Sequence, residues 1–187
     1  MKVQTDSDVC PWVSKFAPLV PTAGMVMDLA CGKGRHTGYF LAKGHPVIAL
    51  DRDTTGVTAF ADNPACKVIT FDLEAPVLID ADHKTMTYDA QLPFYEQELA
   101  CIVVVNYLYR PLLPLLSQSL RSGGILIYQT FMTGNDVYGR PRNPDFLLKP
   151  GELSETLNRD LEQIDFFEGY VDTPKPAVIQ RYCGRKP

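Results

Sequence analysis

Three acids and two glycines carry most of the chemistry legible in this sequence. Asp28 follows the apolar run Met25-Val26-Met27 and is followed by Leu29-Ala30-Cys31-Gly32-Lys33-Gly34. A short apolar run of this kind reads as a buried parallel strand. The glycines then let the backbone turn sharply and leave no side chain between it and a ligand. Asp51 ends the apolar run Val47–Leu50, and Asp72 ends Val68–Phe71. In a parallel sheet the carboxyl ends of the strands lie side by side, so all three acids belong to one rim beside the glycine turn. An acid there suits a ligand with positive charge and repels a pyrophosphate.

The turn departs from the dinucleotide fingerprint, which asks for a third glycine three residues after Gly34; Thr37 stands there, and the next glycine is Gly38. A nucleotide-dependent oxidoreductase is therefore a weaker reading. S-adenosylmethionine carries a sulfonium and an ammonium and no phosphate, and matches the acids better. The run Asp28 to Gly34 resembles motif I of the class I S-adenosylmethionine-dependent methyltransferases, an acid, two residues, then a small residue, Gly, any residue and Gly. The likeness extends over most of the chain, from Trp12 to Tyr182, and Arg35-His36 with Leu148-Lys149-Pro150-Gly151-Glu152-Leu153 is most similar to small bacterial methyltransferases of the tellurite-resistance type.

The resemblance implies a single α/β domain over 1–187, three-layered and Rossmann-like, with a seven-stranded sheet of order 3-2-1-4-5-7-6 whose strand 7 is antiparallel. It implies S-adenosylmethionine as cofactor, bound by Asp28, Ala30, Gly32, Gly34, Arg35, His36, Asp51, Arg52, Asp72, Leu73 and Asn106. Asp51 is placed to accept from both ribose hydroxyls, and Asp72 to take the adenine amino group with Leu73 against the ring. Arg35 opposes the macrodipole in the first turn of its helix, a cost that the cofactor's carboxylate would offset.

The elements that must hold these residues are read in chain order. Val9, Trp12, Val13 and Phe16 have helical spacing behind a Ser7-Asp8 cap, with Trp12 covering one edge of the sheet. A helix from Arg35 to Lys43 stops at Gly44, and Thr54 to Asp62 holds a short one. Residues 74–97 show no clear period and form a long excursion. Leu99–Val105 is the central fourth strand, Leu112–Leu120 a helix closed by Gly123-Gly124, and Ile125–Thr130 the fifth strand. A loop over 131–149, a short helix to Leu157, and closing antiparallel strands at Leu161–Tyr170 and Ala177–Tyr182 complete the chain.

Composition bounds the function. The chain has 187 residues, 45% apolar and 21% charged, as one globular domain requires. A formal net charge of −4 with no basic run argues against a nucleic-acid partner. The 5 cysteines are widely spaced and read as free thiols in a reducing compartment, with Cys31 a small filler of the turn. The 3 histidines share no metal-ligand spacing, so no metal site is expected. No signal-like or membrane-spanning run occurs, and the expectation is a cytoplasmic protein with no membrane partner, monomeric or weakly dimeric.

Methyl transfer is a displacement at carbon in which the protein mainly orients and desolvates, so no catalytic side chain is assigned. Tyr107, Tyr109 and Arg110 follow the fourth strand and are candidates to meet a small-molecule substrate, with Tyr138, Arg140 and Arg142 folding over it. The segment 131–149 reads as a lid moving over 133–143 and held at 146–149 by Phe146, Leu147 and Leu148 packed on the core. The run Asn106-Tyr107-Leu108-Tyr109 is not the Asn-Pro-Pro-Tyr signature of amino methylation on DNA bases or protein glutamine. The alternative is a protein of the same fold that binds S-adenosylmethionine or S-adenosylhomocysteine without catalysis.

Overall fold

Leu99–Val105, the most apolar run of the chain, forms a strand whose residues 99–104 are all buried. A strand with no polar face needs cover on both sides. In the computed structural model, which describes residues 9–74 and 99–187, this strand is the centre of a seven-stranded sheet. Numbered in chain order, the strands are β1 (Val26–Leu29), β2 (Val47–Asp51), β3 (Cys66–Thr70), β4 (Leu99–Val105), β5 (Leu120–Phe131), β6 (Glu162–Val171) and β7 (Ala177–Arg185). Their order is β3-β2-β1-β4-β5-β7-β6, and β7 is antiparallel to both of its neighbours. This is the topology that the sequence resemblance implied.

Side-chain alternation along the strands sorts the core into two faces. Val26, Val47, Ala100, Val103, Ile125 and Ile127 pack with Trp12, Val13 and Phe16 of helix α1 (Pro11–Phe16) and Tyr39 and Phe40 of α2 (Arg35–Ala42). Met27, Leu29, Ile48, Leu50, Ile102 and Val104 pack with Leu113 and Leu116 of α3 (Leu113–Ser119) and Leu153 and Leu157 of α4 (Glu152–Leu157). Each fully buried aliphatic side chain contributes about 1.5–3 kcal/mol of transfer free energy, which holds the three layers together. Trp12 covers the sheet as expected: it is buried, and its Nε1 donates to the Tyr182 carbonyl at 3.1 Å. α2 ends at Ala42, with Gly44 at φ +85° as the stop.

Two expectations need adjustment. The Thr54–Asp62 helix is a 3₁₀ helix over Thr54–Phe60, led by Asp53, whose side chain accepts from the Thr55 N–H. The fifth strand begins five residues early, at Leu120, so the pair Gly123-Gly124 lies inside it and does not close α3. Leu120 pairs with Leu99, and Gly123 and Gly124 exchange backbone hydrogen bonds with Lys186; sheet pairing thus takes the chain before a helix cap can form. The Ser7-Asp8 cap, and the excursion at 74–97 apart from Glu74, lie outside the described residues.

Because β7 runs against the rest, its amino-terminal half reaches the rim where β1 to β5 end. Ile179 of β7 pairs with Phe131 of β5, and Arg181 pairs with Gln129.

Candidate functional site

The turn after β1 is built from unusual backbone. Ala30 has φ +55°, Gly32 +53° and Gly34 +72°, so three of five successive residues are left-handed. Gly34 is required twice over: its φ favours glycine, and a Cβ there would meet Val57 at 2.6 Å and Phe60 at 2.9 Å. Gly56, on the 3₁₀ helix behind, is as constrained, since a Cβ would stand 2.6 Å from the Gly32 carbonyl oxygen. At Gly32 a Cβ would meet nothing within 4 Å, so the turn is open on its outer side.

Two acids hold this turn. Asp28 alternates with Val26 and so faces α2, where its Oδ2 accepts from the Thr37 N–H at 2.8 Å and the Thr37 hydroxyl at 2.7 Å. Asp51, at the end of β2, accepts from the Gly32 N–H at 2.8 Å through Oδ2 and from the Asp53 N–H at 3.0 Å through Oδ1. Cys31 inside the turn is buried, and burial, then the charges of Asp28 and Asp51, push its thiol far above the usual range. It is therefore a thiol that fills space, as expected, and the 5 cysteines are all free and buried.

Two cavities open on the rim. The first, of about 440 Å³, is walled by Ala30, Asp51, Asp72, Leu73, Glu74 and Tyr107, with Arg52 the one cation among the described residues. Burial first, then the Glu74 carboxylate, push the Tyr107 phenol above its ordinary range, so near neutral pH it is a hydrogen-bond donor and not a base. The second cavity, of about 870 Å³, lies across β4, β5 and β7 and has Arg35, Arg140, Lys175 and Arg181 in its walls. Asn106 and Phe131 border both cavities, so the two adjoin. Both volumes fall in the range of small-molecule sites, about 300–1,000 Å³. Asn106, at the end of β4, repeats the left-handed backbone of Ala30 on the neighbouring strand, with φ +61°.

The structure thus brings Ala30, Asp51, Arg52, Asp72, Leu73, Asn106 and Tyr107 to one cavity and Arg35, Tyr138 and Arg140 to the other. Three expected contacts take different roles, and one residue expected in the core walls a cavity instead. Asp28 is 2% exposed and is spent on α2, so it shapes the turn from beneath. His36 is buried, its Nε2 accepting from the Cys10 N–H at 3.4 Å and its Nδ1 lying 3.8 Å from Asp28, and it ties α1 to α2. Arg110 is used up inside the protein: Nε and Nη2 bind Glu152 at 2.6 and 3.0 Å, and Nη1 and Nη2 donate to the carbonyls of Asp145 and Leu147. Phe146 is 44% exposed and walls the first cavity, while Leu147 and Leu148 alone enter the core. Gly32 and Gly34 contribute the turn, Tyr109 packs partly against the core, and Arg142 is exposed; none of the three groups borders either cavity.

Gln129, Lys175 and Arg181 are site residues that the sequence did not reveal. Gln129 Oε1 accepts from Arg181 Nε at 2.7 Å and from the Cys10 thiol at 3.3 Å. The available signal was positional, since Gln129 stands near the carboxyl end of a predicted strand, one residue before its end.

No protein-family model and no curated protein sequence matches the chain. Solved structures do match. A TehB-like S-adenosylmethionine-dependent methyltransferase from Corynebacterium glutamicum is 20% identical, covers 94% of this chain and 87% of its own, and has a TM-score of 0.62. TehB from Haemophilus influenzae is 19% identical with a TM-score of 0.67; it matches all of this chain, which spans 65% of its length. The 1,6-didemethyltoxoflavin-N1-methyltransferase of Burkholderia thailandensis, solved with its acceptor and S-adenosylhomocysteine, is 17% identical over 94% of this chain and 76% of its own, with a TM-score of 0.66. At these identities the likeness establishes a shared fold: the chain has the seven-stranded architecture of these methyltransferases.

Proposed function

We propose that this chain is an S-adenosylmethionine-dependent methyltransferase acting on a small-molecule acceptor. The observation that carries the reading is an acid-walled cavity beside a left-handed glycine turn, joined at Asn106 and Phe131 to a larger second cavity. The residues fit the cofactor's chemistry. Asp51 would take the ribose hydroxyls, Asp72 the adenine amino group, and Leu73 the ring, while the open outer side of Gly32 admits close approach of the backbone. Arg35, in the wall between turn and second cavity, would hold the carboxylate. Fold neighbours solved with S-adenosylhomocysteine or S-adenosylmethionine support the choice of cofactor.

When bound, the cofactor supplies a methyl group on a positively charged sulfur, which leaves as a neutral thioether. The protein's share is to align the acceptor's lone pair with that methyl across the Asn106–Phe131 boundary and to keep water out. Tyr107 stays protonated near neutral pH and so is not the base for an acceptor that must lose a proton. Replacing Asp51 by Ala removes charge-assisted hydrogen bonds worth about 1.5–3 kcal/mol each, so affinity for S-adenosylhomocysteine should fall at least about tenfold. Calorimetry on the wild type and this variant tests the assignment; no binding, or an unchanged affinity, would sink it. Turnover of an acceptor separates the enzyme from a protein that only binds the cofactor.

A further inference from the structure

The two cavities have opposite electrostatic character. Asp51, Asp72 and Glu74 line the first, with Arg52 the single cation among the described residues. Arg35, Arg140, Lys175 and Arg181 line the second, with no aspartate or glutamate among the described residues of its walls. That concentration runs against a formal net charge of −4 for the whole chain. None of the four cations forms a salt bridge among the described residues, where the cations paired with carboxylates are Lys15, with Asp165, and Arg110, with Glu152. Like charges held together around a cavity without counter-ions repel one another, and an anionic occupant relieves that repulsion.

Arg181 is the fixed member of the set. Its guanidinium lies 5.7 Å from the Trp12 ring and 5.5 Å from the Phe167 ring, and its Nε donates to Gln129 Oε1 at 2.7 Å. Both Nη groups have no hydrogen-bond partner among the described residues. Partial burial pulls its pKa down from the usual arginine value, which remains so high that the group stays charged. A guanidinium fixed on two rings and pinned at Nε offers a pre-organised fork for a carboxylate or phosphate. The rest of the wall mixes rings, from Phe131, Tyr138, Pro11, Pro174 and Pro176, with the polar but uncharged Asn106, Gln129, Asn135 and Thr173. A volume of about 870 Å³ is far more than a bare oxyanion fills, and more than the carboxylate that Arg35 takes in the proposed function requires.

We propose that the second cavity is the acceptor subsite and that it selects an organic anion, with Arg181 meeting the carboxylate or phosphate and Arg140 and Lys175 adding charge at the mouth. The proposal rests on the methyltransferase reading for the word acceptor, but the selectivity for anions stands on the cavity alone.

The test is binding to the full-length protein saturated with S-adenosylhomocysteine, followed by calorimetry and thermal shift. The probes are aromatic and aliphatic mono- and dicarboxylates and phosphate monoesters, set against neutral amide isosteres, amines and sulfate. Organic anions should bind, with amides and amines at least tenfold weaker, and raising salt should weaken binding. The ranking of carboxylates against phosphate esters identifies which anion the fork prefers. Arg181→Gln should weaken the best anion at least tenfold and leave S-adenosylhomocysteine affinity within twofold. Should Arg181→Gln fail to fold, the double variant Arg140→Gln/Lys175→Gln, at two exposed positions, should weaken it at least threefold. Equal binding of neutral or cationic isosteres, binding of sulfate alone, binding of no organic anion, or unchanged anion affinity in the variants would overturn the proposal. Failure of the methyltransferase reading shows separately, as loss of S-adenosylhomocysteine binding with anion binding intact when probed without it.

Discussion

Thr37 donates twice to one oxygen of Asp28, from its backbone N–H at 2.8 Å and from its hydroxyl at 2.7 Å. Both residues are buried, so neither bond is shared with water. The acid therefore fixes where α2 begins, and through α2 it fixes the turn that borders the first cavity. Thr37→Val keeps the shape and removes the hydroxyl bond to a buried carboxylate, which costs about 1.5–3 kcal/mol. Urea denaturation should show a lower midpoint with an unchanged slope, and Thr37→Ser, which keeps the hydroxyl, should recover most of the loss.

Gly34 and Ala30 make opposite predictions although both are left-handed. Gly34→Ala adds a methyl group into Val57 and Phe60 on top of backbone strain, and should destabilise by roughly 2–4 kcal/mol. Ala30→Gly relieves strain of about 1–2 kcal/mol while loosening the unfolded chain by about 0.5–1 kcal/mol, so its net effect should be a small gain. Thermal melts of the two variants should move in opposite directions. A Gly34→Ala protein as stable as the wild type would show that the turn is not packed as described.

The pair Arg110–Glu152 anchors the far end of the 131–149 loop, and it gives that loop a pH dependence. Burial alone would raise the Glu152 carboxyl, but hydrogen bonds from Arg110 and the Lys149 N–H outweigh it and hold the group below its ordinary value. A depressed carboxyl stabilises fully above its unfolded pKa and loses that contribution as pH falls through the folded one. Anchoring should thus be intact above about pH 5 and weaken progressively below about pH 4. Protection factors at Leu147 and Leu148, corrected for the pH dependence of intrinsic amide exchange, should fall on acidification, whereas in Glu152→Gln they should be lower already at neutral pH and change little with acid. The same experiment tests the lid expected at 133–143. Asn135 already sits buried with its Oδ1 accepting from the Val178 N–H at 3.1 Å, while Val137 and Tyr138 are exposed. Any slowing of exchange by S-adenosylhomocysteine with an acceptor should therefore centre on 137–142.

The part of the site legible in sequence is the part built locally. Asp28, Gly32, Gly34 and Asp51 stand next to apolar runs whose length and period announce strands, and a parallel rim follows from those runs. The role of Asp28 was less legible, because alternation puts it on the α2 face and only the packed structure shows Thr37 waiting there. Arg110 read as a substrate contact because it follows the fourth strand at the crevice; its carboxylate partner, which takes it out of that role, lies 42 residues away. Arg181 was hidden for the same reason, its supporting rings being Trp12 and Phe167.

The first cavity is walled by residues from 30 to 146, whereas the second needs 9–11 and 171–181 together. Trp12 bonding to Tyr182 across 170 residues of chain is one of the contacts that closes it. Such long-range closure comes late in folding, after the local strand–turn–helix units have formed. During synthesis the acid-walled half can take shape on the ribosome while its neighbour has only one side.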